Sequence, residues 1–329
     1  MFAVYAKALC ACSLSVSLIT NAAFSVPPDT LSRVSEGVAS ESSLSPEHAR
    51  LLHLLGSHGY SKSELDVLLT RFSFDGLENL LSSPYSPFIP QVAAQPHFQE
   101  DRMQRYVEYG QAHPDYSPER LVTRVNMDLD FPFYSTIHQP QNPSAIDVLV
   151  NKYNTLGTSF VPKLVQMGSH YSGSDGGYMH PDAYKWFVKM VDAAQAEGLR
   201  LYSVSAYRSA KLQKSIYQRY VNDYGVSLAD IYSARPGHSE HQTGLAVDIN
   251  VARRTAHFEN TPHYRWLIKN SWKYGFILRY PKDKTKITGF TFEPWHYRYV
   301  GQNLAEKIYK SGLTLEEYLA SQPTSHSVG

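Results

Sequence analysis

The chain has 329 residues, of which 43% are hydrophobic, so it can form one large domain or two smaller ones with buried cores. Lys and Arg together number 31 and Asp and Glu 30, which leaves a formal net charge of +1. This balance argues against nucleic acid as a main partner, because phosphate binding needs an excess of basic residues.

Residues 1–25 have the features of an export signal. Lys7 is the only charged residue of this segment, and the sequence from Ala8 to Phe24 is mostly apolar or small. We predict a cleaved signal peptide, and therefore a protein of the periplasm, the cell envelope or the extracellular space. The apolar run is short and interrupted by serines, so we expect no stable membrane span.

Both cysteines of the chain, Cys10 and Cys12, lie within the predicted signal peptide. The processed chain would therefore have no disulfide and no cysteine to hold a metal. The sequence around Cys10 resembles a lipoprotein cleavage site only faintly, because little apolar sequence precedes it, and we do not predict lipidation.

Two linkers and a small helical unit are predicted next. Residues 26–44 are rich in Ser, Pro and Gly and have few large apolar side chains, which is typical of a disordered linker. Residues 45–82 contain helix starts and leucines at helical spacing and predict a small helical unit. Residues 83–99 are rich in proline and are predicted to form a second linker.

The helix starts of this unit are of two kinds. Ser45 precedes Pro46, which is the arrangement of an N-cap followed by proline in the first turn. Ser61 and Glu64 form a capping box. We expect this unit to pack without chemistry of its own; the alternative is a role in targeting the protein to the cell wall.

Residues 100–322 predict an α+β domain with a mainly antiparallel central sheet flanked by helices. Helix and strand patterns are mixed there without a regular β-α-β order. The predicted strands cover 199–206, 245–251, 276–280 and 295–300. The predicted helices cover 181–196, 209–224, 261–275 and, as a pair, 302–320.

His241 and Asp248 are the first candidates for a metal site. Gly244 lies between them and permits a sharp bend, and Asp248 lies in a predicted strand. The bend could bring both side chains to one ion. Such a pair is weak by itself, because most pairs at this spacing are unrelated surface residues.

A second cluster adds a third candidate ligand. Glu293 lies three residues before His296, and Pro294 stiffens the link between them. Two histidines and one aspartate leave a fourth position open, which is typical of catalytic zinc sites. Glu293 would then be free to act as a general base on the water that the metal activates.

Several motifs in the same order resemble a known family. They are Ser239-x-His241-x-x-Gly244-x-Ala246-x-Asp248, Glu293-x-x-His296, the upstream Ser205-Ala-Tyr-Arg-Ser-x-x-x-Gln213, and the segments Val150–Asn154, Gly275-Phe276 and Arg279–Pro281. Together they resemble VanY-type zinc D-alanyl-D-alanine carboxypeptidases. These belong to the superfamily of lysostaphin, the D-Ala-D-Ala metallopeptidases and the hedgehog proteins. The resemblance covers about residues 120–310 and excludes the helical unit.

The resemblance implies a role for each matching residue. It implies a single zinc ion held by His241, Asp248 and His296, with Glu293 as the catalytic base. It also implies that Arg208 binds substrate and stabilises charge during catalysis. The remaining implied substrate-binding residues are Gln213, Ser239 and Trp295.

We therefore predict an exported zinc carboxypeptidase that removes the terminal D-alanine from peptidoglycan stem peptides. The alternatives are an L,D-carboxypeptidase that trims tetrapeptides, a peptidoglycan endopeptidase, and a wall-binding module without turnover. An always-charged arginine suits either the substrate carboxylate or the scissile carbonyl, and both roles of Arg208 stay open.

Overall fold

The computed structural model describes residues 45–172, 177–251 and 255–322. The predicted signal peptide, the predicted linker 26–44 and both cysteines lie outside these residues. The described chain forms two compact units, one of residues 45–94 with 98–103 and one of residues 95–97 with 104–322. None of the helices in these ranges combines the length and apolar character needed to cross a membrane.

The smaller unit is helical. Its helices are α1 (Pro46–His58), α2 (Lys62–Arg71), α3 (Phe74–Leu81) and α4 (Phe88–Ala93). The predicted caps are confirmed: the Ser45 side chain accepts from the backbone of His48, and Ser61 with Glu64 forms the capping box. Leucines at helical spacing form the core of this unit, namely Leu51, Leu55, Leu68, Leu77 and Leu80.

The segment 83–99 differs from the predicted linker. Its central part is the helix α4, and Ile89 and Ala93 of this helix are buried in the leucine core. The proline-rich composition suggested a linker, but Pro87 and Pro90 lie at the start of a short helix, where proline is tolerated.

The larger unit contains the other helices and all strands among the described residues. Its helices are α5 (Met103–Ala112), α6 (Pro118–Asn126), α7 (Pro181–Ala196), α8 (Ala210–Tyr224), α9 (Val226–Tyr232), α10 (Pro262–Asn270), α11 (Thr285–Thr288), α12 (Gln302–Ser311) and α13 (Leu315–Ala320). Its strands are β1 (Val165–Gln166), β2 (Tyr178–Met179), β3 (Tyr202–Ser205), β4 (Ala246–Asn250), β5 (Phe276–Leu278) and β6 (His296–Tyr299).

The region from residue 100 begins with helices that the composition did not predict. In α6 the Ser117 side chain caps the helix by accepting from the backbone of Arg120, and Pro118 follows in the first turn. The helix buries Leu121 and Val125, which lie one turn apart on one face.

The central sheet is antiparallel throughout, in the order β3-β4-β6-β5. This confirms the predicted α+β class with a mainly antiparallel sheet. Val247 and Ile249 of β4 face the hydrophobic core, where α7 contributes Phe187. Side chains alternate along a strand, so the other face of β4 is left for polar residues.

Candidate active site

His241 lies in a tight turn that leads into β4. The turn is a 3₁₀ helix over Glu240–Thr243 and ends at Gly244, which has a φ of 69°. A Cβ at Gly244 would lie 2.9 Å from Leu164 and 3.0 Å from the backbone nitrogen of His180. Only glycine fits this close, left-handed turn without strain, and the turn orients His241 toward the strand.

The sheet positions the other two candidate ligands. Asp248 in β4 pairs directly with His296 in β6 in the antiparallel register. Side chains of directly paired residues lie on the same face of a sheet. Here Oδ1 of Asp248 lies 3.1 Å from Nδ1 of His296. The same Oδ1 lies 3.4 Å from Nε2 of His241.

The three side chains therefore converge on one point. One potential ligand atom from each of His241, Asp248 and His296 lies within 4.8 Å of the others, which is compatible with binding to a single ion. Both histidines are buried, and the aspartate is partly buried. The two histidines hold the pKa of the Asp248 carboxyl well below its usual range although burial opposes this, so its oxygen is available as an anionic ligand.

Hydrogen bonds leave one nitrogen of each histidine facing this point. Nδ1 of His241 lies 2.6 Å from the carbonyl oxygen of Ala206, so Nδ1 carries the proton and Nε2 is the free ligand atom. Nε2 of His296 lies 3.4 Å from a carboxylate oxygen of Glu240, and its Nδ1 faces Asp248. Burial alone would lower the pKa of His296, but the contacts with Asp248 and Glu240 raise it to about 9.

Glu293 lies beside the ligand cluster, which is formed by His241, Asp248 and His296. Its Oε2 is 3.7 Å from Nδ1 of His296, which is the nitrogen that faces the other ligands. Burial raises the pKa of the Glu293 carboxyl to about 7, with the nearby charge of Asp248 adding to the effect and His296 opposing it. A carboxyl group in this environment can both take up and release a proton near neutral pH.

Arg208 approaches the cluster from the segment between β3 and α8. One of its terminal nitrogens lies 3.7 Å from Oδ2 of Asp248, and the same nitrogen donates to the Ser205 hydroxyl at 3.3 Å. Its other terminal nitrogen donates to Oε1 of Gln213 at 2.7 Å. Burial lowers the pKa of Arg208, while Asp248 and Glu293 oppose this. The guanidinium is thus a fixed positive charge at the edge of the candidate metal site.

The chain is similar to known proteins. The family model for VanY, D-alanyl-D-alanine carboxypeptidase, matches residues 176–302. A D-alanyl-D-alanine carboxypeptidase of Enterococcus faecalis (strain ATCC 700802 / V583) is 40% identical over 53% of this chain and 66% of its own length. VanXYC of Enterococcus gallinarum, a bifunctional D-Ala-D-Ala dipeptidase and D-Ala-D-Ala carboxypeptidase, is 37% identical over 43% of this chain and 77% of its own length. The chain belongs to the VanY family.

A solved structure agrees with this relationship. The LdcB LD-carboxypeptidase, whose structure was reported for its recognition of peptidoglycan, is 40% identical and superimposes with a TM-score of 0.53. The match covers 56% of this VanY-family chain and 89% of the LdcB chain. The chain spans about two thirds of the length of the Enterococcus faecalis relative, and the smaller helical unit lies before the matched region.

Gln213, which the VanY resemblance implies as a substrate-binding residue, lies beside Arg208. It is buried, with only 1% of its surface exposed. Its Oε1 accepts from Arg208, and its Nε2 donates to the Ser233 hydroxyl and to the Ala234 carbonyl. These contacts make Gln213 a support for Arg208, and its own contact with a substrate remains a prediction.

Two other implied substrate-binding residues of the VanY pattern flank the ligands along the chain. Ser239 is buried and directly precedes the turn with His241. Trp295 is partly buried, packs against the hydrophobic core, and its carbonyl accepts from the backbone of Ile249. Their contact with a substrate remains a prediction.

Glu240 of this VanY-family chain was not predicted as a site residue. It lies between Ser239 and His241, at a position that the motif leaves unspecified, and a glutamate in a turn is usually solvated. In the structure it is buried between Arg279 and Arg298, which hold the pKa of its carboxyl well below the usual range although burial opposes this. Two arginines near predicted strands were the available signal, because buried arginines need an anionic partner.

Proposed function

We propose that this protein is a zinc-dependent D-alanyl-D-alanine carboxypeptidase that removes the terminal D-alanine from peptidoglycan stem peptides. The observation that carries this proposal is the convergence of His241, Asp248 and His296 within 4.8 Å, with Glu293 and Arg208 at its edge. Membership of the VanY family agrees with it.

The three candidate ligands fit zinc. Two imidazole nitrogens and one carboxylate oxygen form a mixed set that suits this metal, and three protein ligands leave a position for water or substrate. His241 and His296 would each bind through the nitrogen that is not engaged by Ala206 or Glu240. When bound, zinc supplies a Lewis acid that polarises a carbonyl and lowers the pKa of water.

Glu293 would move the protons of the reaction. Its carboxylate lies beside the ligand cluster, where it can take a proton from the attacking water. It can then donate this proton to the amine of the departing D-alanine. The protein thus needs no covalent intermediate, and cleavage breaks the peptide bond between the last two residues of the stem peptide.

Arg208 would supply the fixed positive charge. Hydrogen bonds to Ser205 and Gln213 hold its guanidinium in place before substrate arrives. A preorganised cation stabilises either the developing charge on the scissile carbonyl or the terminal carboxylate of the substrate. Ser239 and Trp295 would complete the pocket for the terminal D-residue.

An L,D-carboxypeptidase that trims tetrapeptides is the second candidate. The LdcB LD-carboxypeptidase has the same identity to this chain, 40%, as the Enterococcus faecalis D-alanyl-D-alanine carboxypeptidase. Both reactions release D-alanine, and they differ in the residue on the acyl side of the bond.

Since stem peptides belong to the cell wall, we propose that the protein acts outside the cytoplasm, which agrees with the predicted signal peptide.

Product analysis distinguishes the candidates. The zinc-loaded protein is incubated with pentapeptide, tetrapeptide and cross-linked muropeptides, and the products are identified by mass spectrometry. Loss of D-alanine from pentapeptides alone supports the first candidate, and loss from tetrapeptides supports the second. Cleavage of cross-links would identify an endopeptidase. Absence of cleavage in all three substrates would identify a binding module and contradict the proposal.

A further inference from the structure

Glu240 is a buried carboxylate next to the candidate metal site. Only 1% of its surface is exposed, and its Oε2 lies 3.4 Å from Nε2 of His296. His296 can bind a metal through Nδ1 only if its ring is turned with Nε2 toward Glu240. A carboxylate at Nε2 favours that orientation, because it accepts the proton that neutral imidazole carries there.

Two buried arginines hold this carboxylate in place. Nε of Arg279 donates to Oε1 of Glu240 at 2.8 Å, and a terminal nitrogen of Arg298 donates to the same oxygen at 2.9 Å. Arg298 is fixed in turn by the carbonyl oxygens of Ile146 and Val148. Oε1 is therefore fully engaged by the arginines, which leaves Oε2 directed at His296.

The arrangement continues to the C-terminal helix. Arg279 donates through both terminal nitrogens to the carboxylate of Glu316 in α13, at 2.9 and 2.6 Å. Glu316 also accepts from the side chain of Asn151 at 3.4 Å. A paired, two-bond contact of this kind restricts the rotation of the guanidinium and so fixes the nitrogen that faces Glu240.

The charges of the buried residues around Glu240 balance. Glu240 and Glu316 contribute two negative charges, and Arg279 and Arg298 contribute two positive charges. All four side chains are buried, with at most 2% of each exposed. The four buried side chains therefore carry no net charge, and Oε2 of Glu240 is left to contact Nε2 of His296.

We infer that Glu240 is a positioning residue of the metal site, which orients His296, and that Glu316 acts on the same ligand through Arg279. The inference rests on the proposed metal site, in which His296 binds through Nδ1. If the four buried charged residues had only a structural role, they would stabilise the fold without affecting the metal site. The two roles differ in whether the cluster changes the affinity for zinc in protein that is folded.

The test compares Glu240→Gln, Glu316→Gln and Glu317→Gln with the wild type in the full chain. Glu317 is a matched control, since it lies in the same helix and forms an ion pair with Lys284 at 2.9 Å, away from His296. The zinc dissociation constant is measured by competition with a chelator. The visible absorption spectrum of the cobalt-loaded proteins reports the ligand geometry, and thermal unfolding in chelator reports the stability without metal.

We expect Glu240→Gln to raise the zinc dissociation constant by about 10- to 100-fold and to change the cobalt spectrum. Glu316→Gln, which acts through one more residue, should raise the constant by about 2- to 30-fold. Glu317→Gln should lower thermal stability and leave the constant within about twofold of the wild type, which is less than the smallest effect expected for a coupled residue.

Three results would overturn the inference or locate its failure. A folded Glu240→Gln with wild-type zinc affinity and cobalt spectrum overturns it. If Glu240→Gln does not fold, Glu316→Gln decides, and an affinity equal to that of Glu317→Gln overturns it. If the wild type and Glu317→Gln themselves bind no zinc, the proposed metal site is wrong, which is a different outcome.

Discussion

Asp248 and His296 face each other across two antiparallel strands, with Oδ1 of the aspartate 3.1 Å from Nδ1 of the histidine. This contact joins the backbone pairing of β4 and β6 to the chemistry of the site. His241 comes from the turn before β4, and its Nε2 approaches the same oxygen to 3.4 Å. The ligand cluster is therefore built mostly from one pair of strands and the turn that starts one of them.

Metal removal is the first prediction. A chelator should abolish carboxypeptidase activity, and zinc should restore it. His241→Ala and His296→Ala should each lose both the metal and the activity, since the two remaining ligands rarely hold zinc tightly. Metal content by elemental analysis and D-alanine release are measured on the same samples. Full activity in protein that is free of metal would contradict the assignment.

The Glu293→Ala variant tests whether Glu293 is a general base or a metal ligand. This variant should retain nearly one zinc per chain, because Glu293 lies beside the three ligands and is not one of them. Its kcat should fall by roughly 10²- to 10⁴-fold, the usual contribution of a positioned general base. Zinc content and kcat are compared with those of the wild type. Loss of the metal together with the activity would make Glu293 a ligand.

Arg208→Ala tests recognition of the terminal carboxylate. A charged hydrogen bond is worth roughly 1.5–3 kcal/mol, so the variant should lose at least about tenfold in kcat/KM. Amidation of the substrate's terminal carboxylate should cost the wild type a similar factor. If both changes remove the same interaction, together they should cost little more than either alone.

The design is a double cycle of kcat/KM with free and amidated peptides. Losses that add strictly would place Arg208 at the scissile carbonyl. Efficient cleavage of the amidated peptide by the wild type would indicate an endopeptidase, which does not need a free C-terminus.

Gln213→Ala should impair catalysis through the loss of its hydrogen bond with Arg208. It removes the acceptor for Arg208, a bond to a charged group worth roughly 1.5–3 kcal/mol, so kcat/KM should fall by at least about tenfold. Lys214→Ala is the control, because Lys214 is exposed on the same helix. Kinetics and thermal unfolding are measured for both variants. Equal kcat/KM for the two would show that Gln213 does not position Arg208.

Gly244→Ala should lower the free energy of unfolding by more than the cost of a left-handed backbone conformation alone, because its Cβ would overlap with neighbouring atoms. Gly157 is a matched control, since it has the same φ of 69° but no atom within 4 Å of the place that a Cβ would take, whereas Gly244 has Leu164 at 2.9 Å. Gly157→Ala should cost about 1–2 kcal/mol for the left-handed conformation. Gly244→Ala should cost roughly 1–3 kcal/mol more for the steric overlap. Urea unfolding checks the difference, and equal costs would contradict it.

Local signals predicted the secondary structure well where caps and periodicity agreed. The helix Pro181–Ala196 has the predicted bounds, and the strand 245–251 contains the observed Ala246–Asn250. The helix α4 was missed because its prolines suggested a linker, while the burial of Ile89 that stabilises it depends on residues distant in the chain. Tertiary burial of this kind leaves little trace in a short proline-rich segment.

The candidate ligands could be predicted because two short motifs, each weak alone, together resemble the VanY pattern. The buried residues that surround these ligands could not be predicted from the sequence. Glu240 is 39 residues from Arg279 and 58 from Arg298, and only the folded sheet brings the three together. The hydrogen bond between Gln213 and Arg208 was likewise not predicted, since a sequence pattern shows that an amide is near the site but not in which direction it points.

The pairing of Asp248 with His296 also makes the site sensitive to errors in strand alignment. If β4 shifted by one residue against β6, Asp248 would turn to the opposite face, and Val247 would take its place beside the histidine. Such a misfolded chain would lose the carboxylate ligand. If the proposed metal binds at this site, it would stabilise the correctly paired chain over its misaligned alternatives.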